Sequence, residues 1–416
     1  MLSPAFAALR HRNFRLLWLG QLVSFSGSMM QQAALLWHVS LLVPAEGRGM
    51  ALGLVGLVRV GPVVLFSLLS GVAADALDRR RLLMVTQVMA ALVAGVLAWL
   101  TFAGLTQIWP VYLLAALGAA ASAFDGPARQ ALVPTLVPRA DLPNALGLNQ
   151  IMFQTAAVVG PSAGGVLIAT LGVAWVYLFN AVSFLMVLLA LMSMRQVPAT
   201  PAAERGEVSF RAAAEGLRFV FTEPVIAWTM VLDFVATFFA SATALLPIFA
   251  QDILQVGARG YGWLYAAPAL GAVVTAVVMA RVIDRIERRG LVLLGSVGVY
   301  GLATIAFGLS TAFWVTFLAL AISGAADTVG TVLRSVIRQL LTPDRLRGRM
   351  TSVNMVFFMG GPQLGELEAG LAAAWKGAPF AVITGGVGTL LATASVAWWV
   401  PVIRRYRRAE APVETA

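Results

Sequence analysis

Six ionisable residues interrupt long apolar runs of this 416-residue chain: Arg59, Asp233, Asp327, Arg334, Glu366 and Glu368. A charge at membrane depth is costly and marks function by default. A carboxyl group in low dielectric favours its neutral form, so it can take up and release a proton. Asp233, Glu366 and Asp327, in that order, are the candidate proton-coupling residues. Arg334 follows Asp327 by seven residues, nearly on the same helix face, and could instead hold Asp327 as an ion. Other chemistry is poorly provided for. There is no cysteine and there are only two histidines, His11 and His38, which argues against disulfides, thiol catalysis, iron–sulfur clusters and His-based centres. No Gly-x-x-x-x-Gly-Lys-Ser/Thr stretch is present to cradle ATP, and the single lysine, Lys376, lies elsewhere. The expectation is a protein that is not an enzyme, with no metal and no cofactor.

The elements that hold those charges follow from composition. Sixty per cent of the residues are apolar, 12% are charged, and the mean hydropathy is +0.85. A soluble chain is about a quarter charged, and a spanning helix takes ~20 mostly apolar residues. Long apolar runs predict twelve helices, near 14–43, 50–74, 82–103, 109–128, 144–170, 172–194, 225–251, 260–280, 290–309, 313–337, 350–372 and 378–402. Twenty-four of the 29 Lys and Arg fall in the termini and alternate loops, from Arg10 to Arg408. The other loops hold only Arg48, Arg259 and Lys376. That asymmetry places both termini in the cytoplasm and makes the helix count even. The net charge of +10 therefore reports topology and no nucleic-acid partner. The first apolar run is too long for a signal-peptide core and is expected to be a retained first span.

The longest polar segment divides the chain into 1–195, a linker at 196–224, and 225–416. Phe210, Ala214, Leu217 and Phe221 recur at helical spacing behind Ser209, a possible cap. This reads as an amphipathic helix on the cytoplasmic membrane surface or, equally, a soluble connecting helix. Shifting the chain by 209 residues lays Asp75 and Arg79-Arg80 on Asp284 and Arg288-Arg289, Arg129-Gln130 on Arg338-Gln339, and Pro134 on Pro343. These rare residues coinciding at one offset indicate a duplicated six-helix unit. Repeats of this kind build transporters, with substrate bound between halves near the bilayer midplane.

Gly71-Val-Ala-Ala-Asp75-Ala-Leu-Asp78-Arg79-Arg80-Arg81 resembles the loop signature of the major facilitator superfamily, with a degenerate second copy from Ala280 to Arg289. Gly160-Pro161-Ser-Ala-Gly164-Gly165 resembles the glycine-proline element of that superfamily's exporters. Asp125-Gly-Pro-Ala-Arg129-Gln130, with Arg338-Gln339 and Arg347-Gly-Arg349, is similar to the subgroup of enterobactin exporters and macrolide efflux proteins. The resemblance covers nearly the whole chain. It implies an all-α membrane protein of twelve helices in two six-helix halves. It also implies a cytoplasmic latch built from Gly71, Asp75, Arg79 and Arg80, echoed by Asp284 and Arg288, with a motif arginine pairing Asp125 on the fourth helix. In that fold the second and eleventh helices face each other, so Arg59 with Glu366 or Glu368 would close the outer side. The first, fourth, seventh and tenth helices line the cavity. Phe25, Met29, Gln31, Gln32, Phe234, Phe238, Phe317 and Arg334 are the cavity candidates, an adaptable, mostly apolar lining. Trp109 and Trp375 read as interfacial anchors.

The function implied is a proton-antiporting exporter of small lipophilic or amphiphilic molecules, drugs or siderophores, working as a monomer in the bacterial inner membrane. Its partners are substrate, protons and the lipid bilayer. Lipid or lysolipid flipping is the alternative within transport. A transporter-fold sensor that moves nothing is the alternative outside it.

Overall fold

A computed structural model describes residues 4–76, 78–195, 217–343 and 346–408, without the side chains of 4, 5, 67–76, 242, 347–349, 352, 356 and 359. The Asp75 side chain, the surroundings of Gly71 and most of the linker helix lie outside what is described; residues 217–222 of that linker are helical. The long helices are α1 Arg12–Leu42, α2 Arg48–Ala76, α3 Arg79–Phe102, α4 Trp109–Leu136, α5 Leu142–Leu171 and α6 Val173–Ser193. They continue as α7 Pro224–Ala240, α8 Gly257–Val282, α9 Arg289–Leu309, α10 Phe313–Leu341, α11 Arg347–Lys376 and α12 Ala378–Trp399. Among the described residues, ten helical stretches are long and apolar enough to cross a membrane. Helices α1 and α11 match them in length but are more polar: α1 carries amides and hydroxyls, and α11 carries Glu366 and Glu368.

Local chemistry sets the helix ends. Proline opens α7 and stands second in α4, α5 and α12, where its missing N–H costs nothing. Asp78 caps α3 by accepting from the Arg81 amide. Gly172 (φ 94°) and Gly377 (φ 89°) each form a one-residue joint, between α5 and α6 and between α11 and α12. That left-handed backbone favours glycine, and the same joint in each half fits a duplicated unit.

One expected helix is broken. The run 225–251 predicts a continuous span, but α7 ends at Ala240. A 3-10 turn, Ala242–Leu245, leads into Leu246–Ile248 and a π-helical turn, Phe249–Ile253. Pro247 supplies the reason: it cannot donate to the preceding turn, and its ring clashes with a helical carbonyl there.

The chain divides into two compact units: unit 1 holds 1–208 and 243–266, and unit 2 holds 209–242 and 267–416. Within unit 1, α1 packs on α5 and α6, α3 on α6 and α4, and α2 on α4. Within unit 2 the equivalent pairs recur: α7 packs on α11 and α12, and α9 on α12 and α10. The unit 1 core gathers Phe14, Leu17, Leu83, Leu132 and Leu191; that of unit 2 gathers Leu232, Leu293, Leu333, Ile337 and Ile403. Large apolar side chains such as Trp99, Leu189, Trp314 and Leu391 are exposed, as a lipid-facing surface requires.

Candidate functional site

In unit 2, α10 presents Asp327, Thr331, Arg334 and Arg338 at i, i+4, i+7 and i+11, one helix face. Arg334 donates to Asp233 of α7 at 2.7 Å, to Asp327 at 3.3 Å and to Thr331 at 2.9 Å. Arg338 lies 3.7 Å from the other oxygen of Asp233. It also donates to the Thr229 hydroxyl at 3.2 Å, the Thr229 carbonyl at 3.0 Å and the Asn354 amide oxygen of α11. Two acids and two bases therefore form a neutral cluster. Burial differs sharply within it. The side chains of Arg334 and Asp233 are 3% and 5% exposed, whereas that of Asp327 is 44% exposed.

That asymmetry sets the two acids of the cluster apart. Protonating Asp233 would sacrifice two ion pairs, whereas Asp327 has one, longer, pair and an open side. The Arg334–Asp327 contact follows from sequence spacing; the shorter one to Asp233 joins different helices, which spacing along one helix does not specify. Phe234 and Phe238 stack at 6.0 Å beside the cluster, and Phe357 meets Phe234 edge-on. Phe317 does not join them. It stacks on Phe313 near the start of α10, next to exposed Trp314.

The unit 1 counterpart is more local. Asp125 of α4 accepts from Gln87 at 2.6 Å and Thr86 at 3.2 Å, both on α3, and pairs with Arg129 one turn along its own helix. The Arg129 guanidinium lies 4.1 Å over the Phe25 ring of α1, a cation–π contact. The latch pairing expected for Asp125 is not formed here. Arg79 donates instead to the Ala131 carbonyl at 3.0 Å and Arg80 to the Met192 carbonyl at 3.4 Å, while Asp125 is occupied by nearer donors. Gln31 also departs from expectation: Asn180 of α6 donates to it at 2.8 Å, turning it from a free lining amide into a helix–helix contact. Gln32 is half-buried.

The Gly-Pro element works by close approach. A Cβ on Gly160 would lie 2.6 Å from the Ser26 carbonyl and 2.7 Å from the Met29 Cβ of α1; on Gly164, 2.6 Å from Met30. On Gly165 it would lie 2.5 Å from the Ala258 carbonyl of α8, and the Pro161 carbonyl meets Gly262 equally closely. Small residues thus let α5 lie against two neighbours. Beside this contact, Tyr261 donates to the Ala33 carbonyl at 2.8 Å, Gln251 to Ser40 at 2.6 Å and Arg48 to Asp252 at 2.8 Å. Only Arg48, among the few basic residues in its set of loops, hints at this seam in the sequence.

Arg59 is half-buried on α2 of unit 1; Glu366 and Glu368 are half-buried on α11 of unit 2. They are the residues the expected outer closure would join. Asp284 and Arg288 are exposed between α8 and α9. Among the described residues no group of three His, Cys, Asp or Glu could hold a metal.

The chain matches the transmembrane secretion effector family over residues 3–411. The Enterobactin exporter EntS of Escherichia coli O1:K1 is 26% identical over 411 residues, 97% of this chain and 94% of that protein. EntS of Shigella boydii serotype 18 matches to the same extent. Among solved structures, a bacterial homologue of the iron transporter ferroportin aligns with a TM-score of 0.68 at 19% identity, covering 93% of this chain and 98% of that one. A POT family transporter in complex with 5-aminolevulinic acid aligns at 0.73 and 13% identity, covering 94% and 96%. These structures establish the fold, and the relatives are transporters rather than enzymes. A multi-pass membrane transporter is what the helices and relatives describe, and the chain belongs to the transmembrane secretion effector family of the major facilitator superfamily.

Proposed function

We propose that the protein exports small lipophilic or amphiphilic molecules, drugs or siderophores among them, in exchange for protons. In this reading it is a monomer of twelve spans in the bacterial inner membrane, with both termini cytoplasmic, working by alternating access. The observation that carries the reading is one buried arginine shared between two aspartates of unequal exposure. A proton arriving on a carboxylate oxygen of Asp327 neutralises it and leaves Arg334 wholly to Asp233. Loss of that proton returns Arg334 to both. The cluster thus has two arrangements differing by one proton, which is what exchange requires of a coupling site. The adjacent Phe234–Phe238 stack offers an apolar, aromatic face to a solute, and the similarity to enterobactin exporters supports outward transport.

One observation favours the lipid alternative. An open crevice of about 470 Å³ in unit 2, lined by Thr275, Val292, Ser296, Val299, Ile322 and Val329, is almost wholly apolar. The test is efflux of a fluorescent lipophilic cation and a neutral macrolide from reconstituted vesicles, with and without an imposed pH gradient, using wild type and Asp327→Asn. The expected outcome is gradient-driven transport reduced at least tenfold in the variant, with folding intact. Transport indifferent to both gradient and substitution would overturn the coupling and favour lipid-type movement.

A further inference from the structure

After α12 the chain turns at Pro401–Arg404 and straps across the loop joining α8 to α9. Ile403 is buried in the unit 2 core. The Gly290 amide donates to the Tyr406 carbonyl at 3.0 Å, and the Arg408 amide to the Glu287 carbonyl at 2.8 Å. The Arg408 guanidinium also donates to the Asp284 carbonyl. Gly290 is needed here, because a Cβ would overlap the Ile403 carbonyl at 1.7 Å. The strap thereby brings exposed Arg404, Arg405, Arg407 and Arg408 to a loop that already carries exposed Arg285 and Arg288. Asp284 and Glu287 are the acids on that loop.

One arginine of this group is different. Arg289, the first residue of α9, is only 4% exposed. Its Nε is sealed without a partner. Among the described residues, Arg289 has no hydrogen bond and no carboxylate within 4.0 Å. Arg79, Arg80 and Arg129 also have an unpartnered Nε, but their terminal nitrogens are bonded. The Arg289 guanidinium lies toward the strap: burial pushes the Tyr406 hydroxyl up, and the Arg289 charge opposes that rise. A guanidinium on a residue this buried, with its Nε sealed and no counterion among the described residues, is expensive. Its position at a helix N-terminus, the positive end of the dipole, makes it more so. Both features call for an anion.

The depth of the site indicates which anion. Trp398 and Trp399, immediately before the strap, are 78% and 77% exposed, and tryptophans at a span's end settle among lipid headgroups. Guanidinium matches phosphate oxygens in a two-pronged geometry that ammonium does not. We infer that Arg289, with the arginines of the loop and strap around it, binds the phosphodiester headgroup of an acidic phospholipid at the N-terminus of α9. Lipid charge would then help hold the strap across the loop. The inference rests on the cytoplasmic placement proposed above, but binding can be measured without transport, so the two stand or fall separately.

The experiment is native mass spectrometry of delipidated protein titrated with phosphatidylglycerol or phosphatidylcholine, with inorganic phosphate as competitor. Wild type is expected to prefer phosphatidylglycerol by roughly tenfold or more, the scale of a charge-assisted hydrogen bond. Arg289→Gln should lose that preference, Arg289→Lys should keep part of it, and exposed Arg285→Gln should change it little. Millimolar phosphate should fail to displace the lipid. Equal binding of both lipids by wild type, or an undiminished preference in Arg289→Gln, would overturn the inference. Displacement by phosphate alone would overturn its lipid component. The wild-type titrations decide the matter even if Arg289→Gln fails to fold.

Discussion

The two halves hold their membrane charges in different ways. In unit 1, Asp125 pairs with Arg129 on the same helix and draws in two neutral donors from α3. In unit 2, Arg334 and Arg338 of α10 reach Asp233 on another helix, and Arg334 also holds Asp327. The 209-residue offset sets Arg129 against Arg338 and Phe25 against Phe234, while Ser24 stands opposite Asp233, Gly118 opposite Asp327 and Asp125 opposite Arg334. Duplication therefore kept one arginine and one phenylalanine in register, and the surrounding charges diverged. A pair within one helix is set by local geometry and is not broken when helices move. A cluster that spans helices has alternative pairings, the property on which the proposed proton exchange rests.

The strongest test of this difference removes the shared arginine. Arg334→Gln leaves Asp233, whose side chain is 5% exposed, with only the longer pair to Arg338 at 3.7 Å. Breaking a buried pair from one side costs about 3–5 kcal/mol, to be read as lost stability to unfolding in mixed micelles. Asp233→Asn combined with Arg334→Gln should recover part of that loss, because the buried carboxylate goes with its arginine, although Arg338 then lacks a carboxylate. A loss from Arg334→Gln no larger than that from Asp125→Asn would abolish the distinction between the halves.

A second test uses the space around the arginine. A Cβ on Gly330 would lie 2.8 Å from the Arg334 Nη1, so Gly330→Ala must push the guanidinium or shift α10. Overpacking of this kind costs about 1–3 kcal/mol. The residue at the same offset in unit 1 is already alanine, buried Ala121, where the position of Arg334 is taken by Asp125. The expected result is lower stability together with weaker proton dependence of efflux. An unchanged pH response in Gly330→Ala would show that Arg334 has room to spare.

Much of this could be read from the chain beforehand, and the exceptions share a cause. Apolar runs located the helices because a span needs nothing but length and hydropathy. The face Asp327–Arg334–Arg338 follows from helical spacing, as does Asp125–Arg129. What spacing cannot supply is a partner on another helix. Asp233 for Arg334, Asn354 for Arg338 and Gln87 for Asp125 are set by packing between segments distant in sequence. The resemblance directed Asp125 toward a loop arginine, but the nearer Gln87 and Arg129 satisfy it first. Pro247 signalled the break after α7, yet the apolar run around it read as one continuous helix. The tail registered only as part of the basic excess, because its strap is held by backbone groups of Glu287 and Gly290 that side-chain types do not reveal.

The smallest effect is expected in unit 1 and completes the comparison. Asp125→Asn keeps a carbonyl oxygen for Gln87 and Thr86, and removes the charge opposite Arg129. Arg129 retains the face of Phe25. Its side chain and that of Asp125 are only partly buried, so water can replace part of what is lost. The net change is about 1 kcal/mol, the size of one hydrogen bond, and the pH dependence of efflux should stay as in wild type. If Asp125→Asn instead removed the pH response while Asp327→Asn preserved it, the coupling site would belong to unit 1. The neutral cluster of α7 and α10 would then be a fixed structural pairing, because an arginine shared by two aspartates couples protons only when one of those aspartates is free to change partners.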